Sequence, residues 1–92
     1  ITYSLHQNYP NPFNPLTEIK YALPRDEYVQ ITIYNLMGKE VQSLIREDKV
    51  AGTHSIQWNA TNNEGKQVSA GAYFYSIQAG DFEETRKMIL LK

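Results

Sequence analysis

Two histidines, His6 and His54, are the only imidazoles in a chain of 92 residues that has no cysteine. Thiolate nucleophiles and thiolate zinc sites are therefore excluded. No Gly-x-Ser-x-Gly or His-Glu-x-x-His pattern supplies a serine nucleophile or a zinc-bound water. His54 falls in phase with Ile56 and Trp58, the position of a packing residue rather than a base. Glu83 and Glu84 are adjacent, so on a strand they point to opposite faces and do not form an acid–base pair. Asn59, Asn62, Asn63 and Glu64 crowd one segment with oxygen atoms that suit calcium, but without an Asp-x-Asp pattern. The same residues build a turn ahead of Gly65, because Asn tolerates left-handed geometry. Tyr28 and Tyr34 share the polar face of one strand pattern. They offer either a sugar-stacking platform or cross-strand aromatic pairs. The reading is of no catalytic residue, no cofactor and no metal ligand.

The elements that position these groups must come from a single small domain spanning residues 1–92. Lysine plus arginine is 9 and aspartate plus glutamate is 10, giving 9 − 10 = −1. This balance supplies neither the basic surface of a nucleic-acid binder nor the polybasic run of a membrane-surface protein. At 41% hydrophobic and 21% charged the chain is too apolar for disorder. No apolar run approaches the ~20 residues of a membrane-spanning helix, so no membrane insertion is expected. The chain begins at Ile1 without a methionine or signal peptide, as expected of a piece of a longer protein.

Period-two alternation dominates. Thr17 to Leu23 places Ile19, Tyr21 and Leu23 on one face. Tyr28 to Tyr34 places Val29, Ile31 and Ile33 inward. Asn35 to Gly38 is a turn. Val41 to Ile45 breaks phase, as an edge or bulged strand does. Arg46 to Lys49 reads as a charged loop. Thr53 to Trp58, Tyr73 to Ala79 and Phe82 to Leu91 complete the strands, with Gly80-Asp81 as a hairpin turn. Six to seven short strands with evenly spaced turns predict an all-β, Ig-like antiparallel β-sandwich.

Two segments stand apart. Residues 1–16 form an extended lead-in, with Pro10, Pro12 and Pro15 excluding helix and interrupting any ladder. Tyr9 and Phe13 are its candidate anchors. The last strand is apolar on both faces: Met88 and Leu90 on one, Ile89 and Leu91 on the other. A sandwich strand needs only one apolar face. Either the lead-in covers the second face, or that face, between Lys87 and Lys92, is a docking strip whose edge suits strand addition.

The lead-in Gln7 to Pro15, with Thr17 to Pro24, Val29 to Gly38, Ala51 to His54, Trp58, Gly71 to Tyr75 and the ending Lys87 to Lys92, resembles the type A C-terminal sorting domains of the type IX (Por) secretion system. The resemblance covers about residues 7 to 92, in the family's order. It implies an Ig-like domain at the C-terminus of a cargo protein of a Bacteroidetes-like Gram-negative bacterium. Such a domain passes through the periplasm to the cell surface or the medium. The implied partners are the type IX translocon, outer-membrane shuttle and sortase proteins, and the cargo domain on the N-terminal side. The implied recognition residues are Lys87, Met88, Ile89, Leu90, Leu91 and Lys92, with Gly71 and Tyr73. The implied lead-in motif is Pro10, Asn11, Pro12, Phe13, Asn14 and Pro15. Many relatives carry Asp-Gly after the tryptophan, where this chain has Asn59-Ala60. The tryptophan region and the Gly-x-Tyr segment are also shared with the Ig-like domain of flagellar hook-capping proteins. A structural linker or assembly module is therefore the alternative, and a carbohydrate-binding module a third.

Overall fold

The computed structural model describes residues 1–91. Seven strands run in the order β1 (Ser4–Leu5), β2 (Thr17–Leu23), β3 (Glu27–Tyr34), β4 (Glu40–Lys49), β5 (Gly52–Trp58), β6 (Gly71–Ala79) and β7 (Phe82–Leu90). They form two antiparallel sheets, ordered β1-β2-β5 and β4-β3-β6-β7. This is the Ig-like sandwich that the alternation predicts. The inward rows meet between the sheets. Ile19, Tyr21 and Leu23 of β2 face Val29, Ile31 and Ile33 of β3, all but inaccessible to solvent. Trp58 sits at one end of this core, with Tyr73 edge-on at 5.5 Å and Phe13 tilted at 5.8 Å. Its indole N–H donates to the Thr61 carbonyl at 2.9 Å, as a buried indole must.

The phase break in β4 has a structural cause. Its register against β3 shifts twice, between Ile31 and Thr32 and between Ile33 and Tyr34, and β4 is an edge strand. Arg46 to Lys49 is not a loop: Glu27 pairs with Lys49 and Gln30 with Arg46, so β4 runs on for the whole charged segment. Arg46, Glu47 and Asp48 are all exposed there. With no buried face, no hydrophobic alternation marks the strand. The Gly80-Asp81 turn joins Ala79 to Phe82. Gly80 has φ +60°, a conformation that favours glycine, and a Cβ there would displace the end of the Glu27 side chain, 2.8 Å away. Ala60 is the one non-glycine with positive φ among the described residues, at 62°. Its left-handed geometry is one that glycine would adopt more readily.

Candidate functional site

The two segments that stood apart in the sequence lie side by side. After β1 the chain leaves the first sheet and crosses to the second. His6 N–H still donates to the Lys20 carbonyl at 2.9 Å, and Tyr9 and Glu18 exchange two backbone bonds at 2.9 Å. Four residues further, Phe13 forms a parallel bridge with Leu90 of β7. Phe13 N–H donates to the Ile89 carbonyl at 3.0 Å, and Leu91 N–H donates to the Phe13 carbonyl at 2.8 Å. Ile89 N–H donates to Asn11 Oδ1 at 3.0 Å, and Gln7 Nε2 donates to the Lys87 carbonyl at 2.8 Å. Residues 7–13 are thus a strap along the outer edge of the terminal strand.

The strap covers the edge of β7, while Lys87 and Leu91 on its second face stay exposed. Met88 and Leu90 point into the core, and Ile89 is half-buried. This corrects two expectations. The lead-in pairs along the edge of the terminal strand and leaves Leu91 exposed on the second face, and the apolar half of that strand has no free edge for strand addition. The prolines do not prevent the pairing, because Asn11 and Phe13 between them keep the groups that bond to β7. Outward backbone groups without partners among the described residues remain at Glu83, at Thr85 and at the Lys87 N–H.

A buried polar clamp fixes the strap's start. The Tyr75 hydroxyl, on an inward position of β6, donates to the His6 carbonyl at 2.7 Å and accepts from Asn8 N–H at 2.8 Å. Asn8 Nδ2 donates to the Thr17 hydroxyl at 2.9 Å, and that hydroxyl donates to the Pro10 carbonyl at 2.8 Å. Asn8 and Thr17 are both buried. Burial pushes the Tyr75 hydroxyl up to about 12, against a lowering by the Asn8 hydrogen bond. Sequence reasoning did not pick out Asn8, Thr17 and Tyr75. The available signal was phase: Thr17 and Tyr75 share inward rows with Ile19 and Ile77, and an inward hydroxyl must find a partner.

Of the other sequence-selected residues, Phe13 is the buried anchor, whereas Tyr9 is 81% exposed and anchors nothing. Pro10, Asn11, Pro12, Asn14 and Pro15 are exposed around Phe13. Gly71 and Tyr73 are the ladder partners of Leu90 and Met88. Tyr73 is buried, and its hydroxyl donates to the Ser69 carbonyl at 2.6 Å. They support the terminal strand from behind and are not part of its open face. Lys92 lies outside the described residues. The asparagine oxygens of the Asn59–Glu64 segment are already engaged: Asn59 Oδ1 accepts from the Thr61 hydroxyl at 2.6 Å, Asn62 Oδ1 accepts from Glu64 and Lys66 N–H, and Asn63 Oδ1 accepts from Ser43 N–H at 2.9 Å. Tyr28 and Tyr34 are six positions apart on one strand, ~20 Å at the strand rise, too far to stack on one sugar ring. His54 stacks on Tyr21 at 5.3 Å, as a packing residue.

The chain is similar in structure to a part of dimeric latent PorU from Porphyromonas gingivalis, with TM-score 0.71 and 18% identity over 99% of this chain and 10% of that one. It is also similar to FlgD from P. aeruginosa, with TM-score 0.64 and 17% identity over 86% of this chain and 67% of that one. PorZ, an essential surface component of the type IX secretion system of P. gingivalis, aligns with TM-score 0.61 and 17% identity over 98% of this chain and 11% of its own. The chain thus spans about a tenth of the PorU and PorZ chains, and at these identities the likeness is one of fold. No curated protein sequence matches it. The model of the FlgD Ig-like domain matches residues 16–82, from the start of β2 into the first residue of β7. By that match over most of its length, the chain belongs to the FlgD Ig-like domain family.

Proposed function

We propose that this domain is a non-enzymatic C-terminal sorting signal. It directs a cargo protein on its N-terminal side through the periplasm and across the outer membrane by a type IX secretion system. Translocon, shuttle and sortase proteins are its partners, and the terminal segment Lys87 to Lys92 is the element they read. The observation that carries this reading is the strap. The FlgD Ig-like match stops at residues 16 and 82. The two segments outside it, the lead-in and β7, are the most specific part of a sorting-domain resemblance that runs from about residue 7 to 92, and they bond to each other across ~80 residues of sequence. A lead-in that positions the terminal strand gives both motifs one purpose. It holds Lys87, Ile89 and Leu91 on a preformed strand, so a receptor does not have to order a flexible tail. The receptor would read side chains on the outward face, because the edge is taken.

Deleting Lys87 to Lys92 tests this poorly, since it removes Met88 and Leu90 from the core. A fusion is cleaner. Residues 1–92 are joined to the C-terminus of a periplasm-targeted fluorescent protein, in a bacterium with a type IX system and in its translocon-deficient derivative. Release or surface display in the first strain alone is the expected result, and the product's size reports any cleavage. Retention of a folded fusion in the periplasm of both strains would overturn the proposal. It would favour the second reading, a structural Ig-like linker or assembly module, for which the FlgD Ig-like match over residues 16–82 speaks.

A further inference from the structure

The first sheet ends on β5, and no strand or backbone bond among the described residues covers its outer edge. The bonds from His6 to Lys20 and between Tyr9 and Glu18 show that the even residues of β2 turn their backbone toward β1 and the strap. In an antiparallel ladder the intervening residues then bond the other way. Thr17, Ile19, Tyr21 and Leu23 bond to their partners Trp58, Ile56, His54 and Gly52 on β5. Thr53, Ser55 and Gln57 consequently turn their N–H and C=O groups outward. Among the described residues no hydrogen bond reaches these groups, and all three residues are exposed.

Free edges are ordinarily guarded by charge, proline or a bulge. The free part of β7 carries Glu83, and β4 carries Arg46, Glu47, Asp48 and two register shifts. β5 reads Gly-Thr-His-Ser-Ile-Gln-Trp, with no acidic or basic residue but the histidine, no proline and no shift against β2. We propose that this edge pairs with β5 of a second copy of the chain, antiparallel about a two-fold axis at Ser55.

The choice of a second copy rests on self-complementarity. Centred on Ser55, every outward backbone position finds an outward partner. Ser55 faces its counterpart, and Thr53 and Gln57 face each other in both directions, each pair exchanging two bonds. On the inner face the same register sets His54 opposite the second copy's Ile56, and Ile56 opposite its His54. Both are only half-buried in one copy, so pairing covers them. Repeating one patch on both partners is what a two-fold interface requires, and no like charges meet across it. A single strand pair is a small interface, so the dimer is weak and concentration-dependent. This inference is independent of the sorting proposal.

Sedimentation equilibrium of the 92-residue chain, from low micromolar to sub-millimolar concentration, tests it. The expected result is a mass rising from monomer toward dimer. Over the same range the amide resonances of Thr53, Ser55 and Gln57 should shift together. Ser55→Lys and Ser55→Glu each put like charges on the two-fold axis and should hold the chain monomeric with unchanged circular dichroism. An equimolar mixture of the two should regain the dimer mass. A wild-type chain that stays monomeric throughout would overturn the proposal. So would a dimer that survives Ser55→Lys or whose amide shifts map elsewhere.

Discussion

The two sides of the sandwich are finished differently. On one side, residues 4–13 cross from the β2 edge to the β7 edge and close the gap with backbone bonds, the Asn8–Thr17–Tyr75 clamp and the Phe13 ring. On the other, β5 ends in open backbone. The difference follows the residues. The end of β7 is apolar on both faces, and such a strand with a free edge invites uncontrolled pairing. Its edge is therefore held within the chain while its outward side chains stay available. β5 alternates regularly and turns the polar Thr53, Ser55 and Gln57 outward, so its open edge does not carry apolar side chains on both faces. One side is committed to the fold, and the other is free for a partner.

The largest expected effect breaks the strapped side. Phe13 is 2% exposed and packs on Trp58, so Phe13→Ala should cost about 3–5 kcal/mol in denaturant unfolding. Domains of this kind have ~5–15 kcal/mol in all. Hydrogen exchange at Ile89 and Leu91 should accelerate together, because both bond to the strap, while amides of β5 bonded to β2 lose only the global term. Protection kept at Leu91 would mean that the strap does not depend on its anchor.

Next comes the clamp. Burial raises the Tyr75 hydroxyl from its ordinary value of 10 to about 12 in the fold, so the unfolded state gives up its proton first. Stability from this group is complete below pH 10 and declines as pH rises from 10 toward 12. The loss should reach on the order of 2 kcal/mol. Tyr75→Phe should be less stable at neutral pH, because Asn8 N–H loses its buried acceptor, by about 1–3 kcal/mol. Its alkaline decline should be shallower than wild type. Tyr21, whose hydroxyl burial also raises, leaves some decline in place. Melting temperatures between pH 8 and 12 decide the point.

Asn11→Ala is milder. It removes the side-chain acceptor of Ile89 N–H in an exposed setting, so a cost of about 0.5–1 kcal/mol is expected. Exchange at Ile89 should rise while Leu91, bonded to the Phe13 carbonyl, keeps its protection. That separation sharpens the picture of a strap held at several independent points.

The sequence makes the inward rows of β2, β3 and β6 legible, because alternation records a buried face directly. The bulged edge of β4 is legible too, as a loss of phase at Val41 and Leu44. Its charged half is not, since a strand with no buried face at that end leaves no periodic trace. The strap fails for a different reason. Pro10, Pro12 and Pro15 argue against a ladder, and they do limit it, but pairing needs only the few groups that prolines leave free. Asn11, Phe13 and Gln7 supply them, and no local pattern announces a partner ~75 residues away. For the candidate site, the list Lys87 to Leu91 mixes two kinds of residue. The fold separates Met88 and Leu90, which hold the core, from Lys87, Ile89 and Leu91, which face out.

That separation yields the smallest effect on stability and the clearest test of recognition. Lys87 is exposed on the outward face of β7, opposite Phe74 in the ladder. Its carbonyl, and not its side chain, meets the strap. Lys87→Glu should therefore shift unfolding by no more than about 0.5 kcal/mol, as surface substitutions do, and leave exchange at Ile89 and Leu91 unchanged. If outward side chains are what a secretion partner reads, the same substitution should sharply reduce export of the fluorescent fusion, although the domain stays folded and strapped. Normal export of Lys87→Glu, together with normal export of Leu91→Ser on the same face, would remove this face from the recognition surface. The exposed strap residues beside it would then be the next to vary.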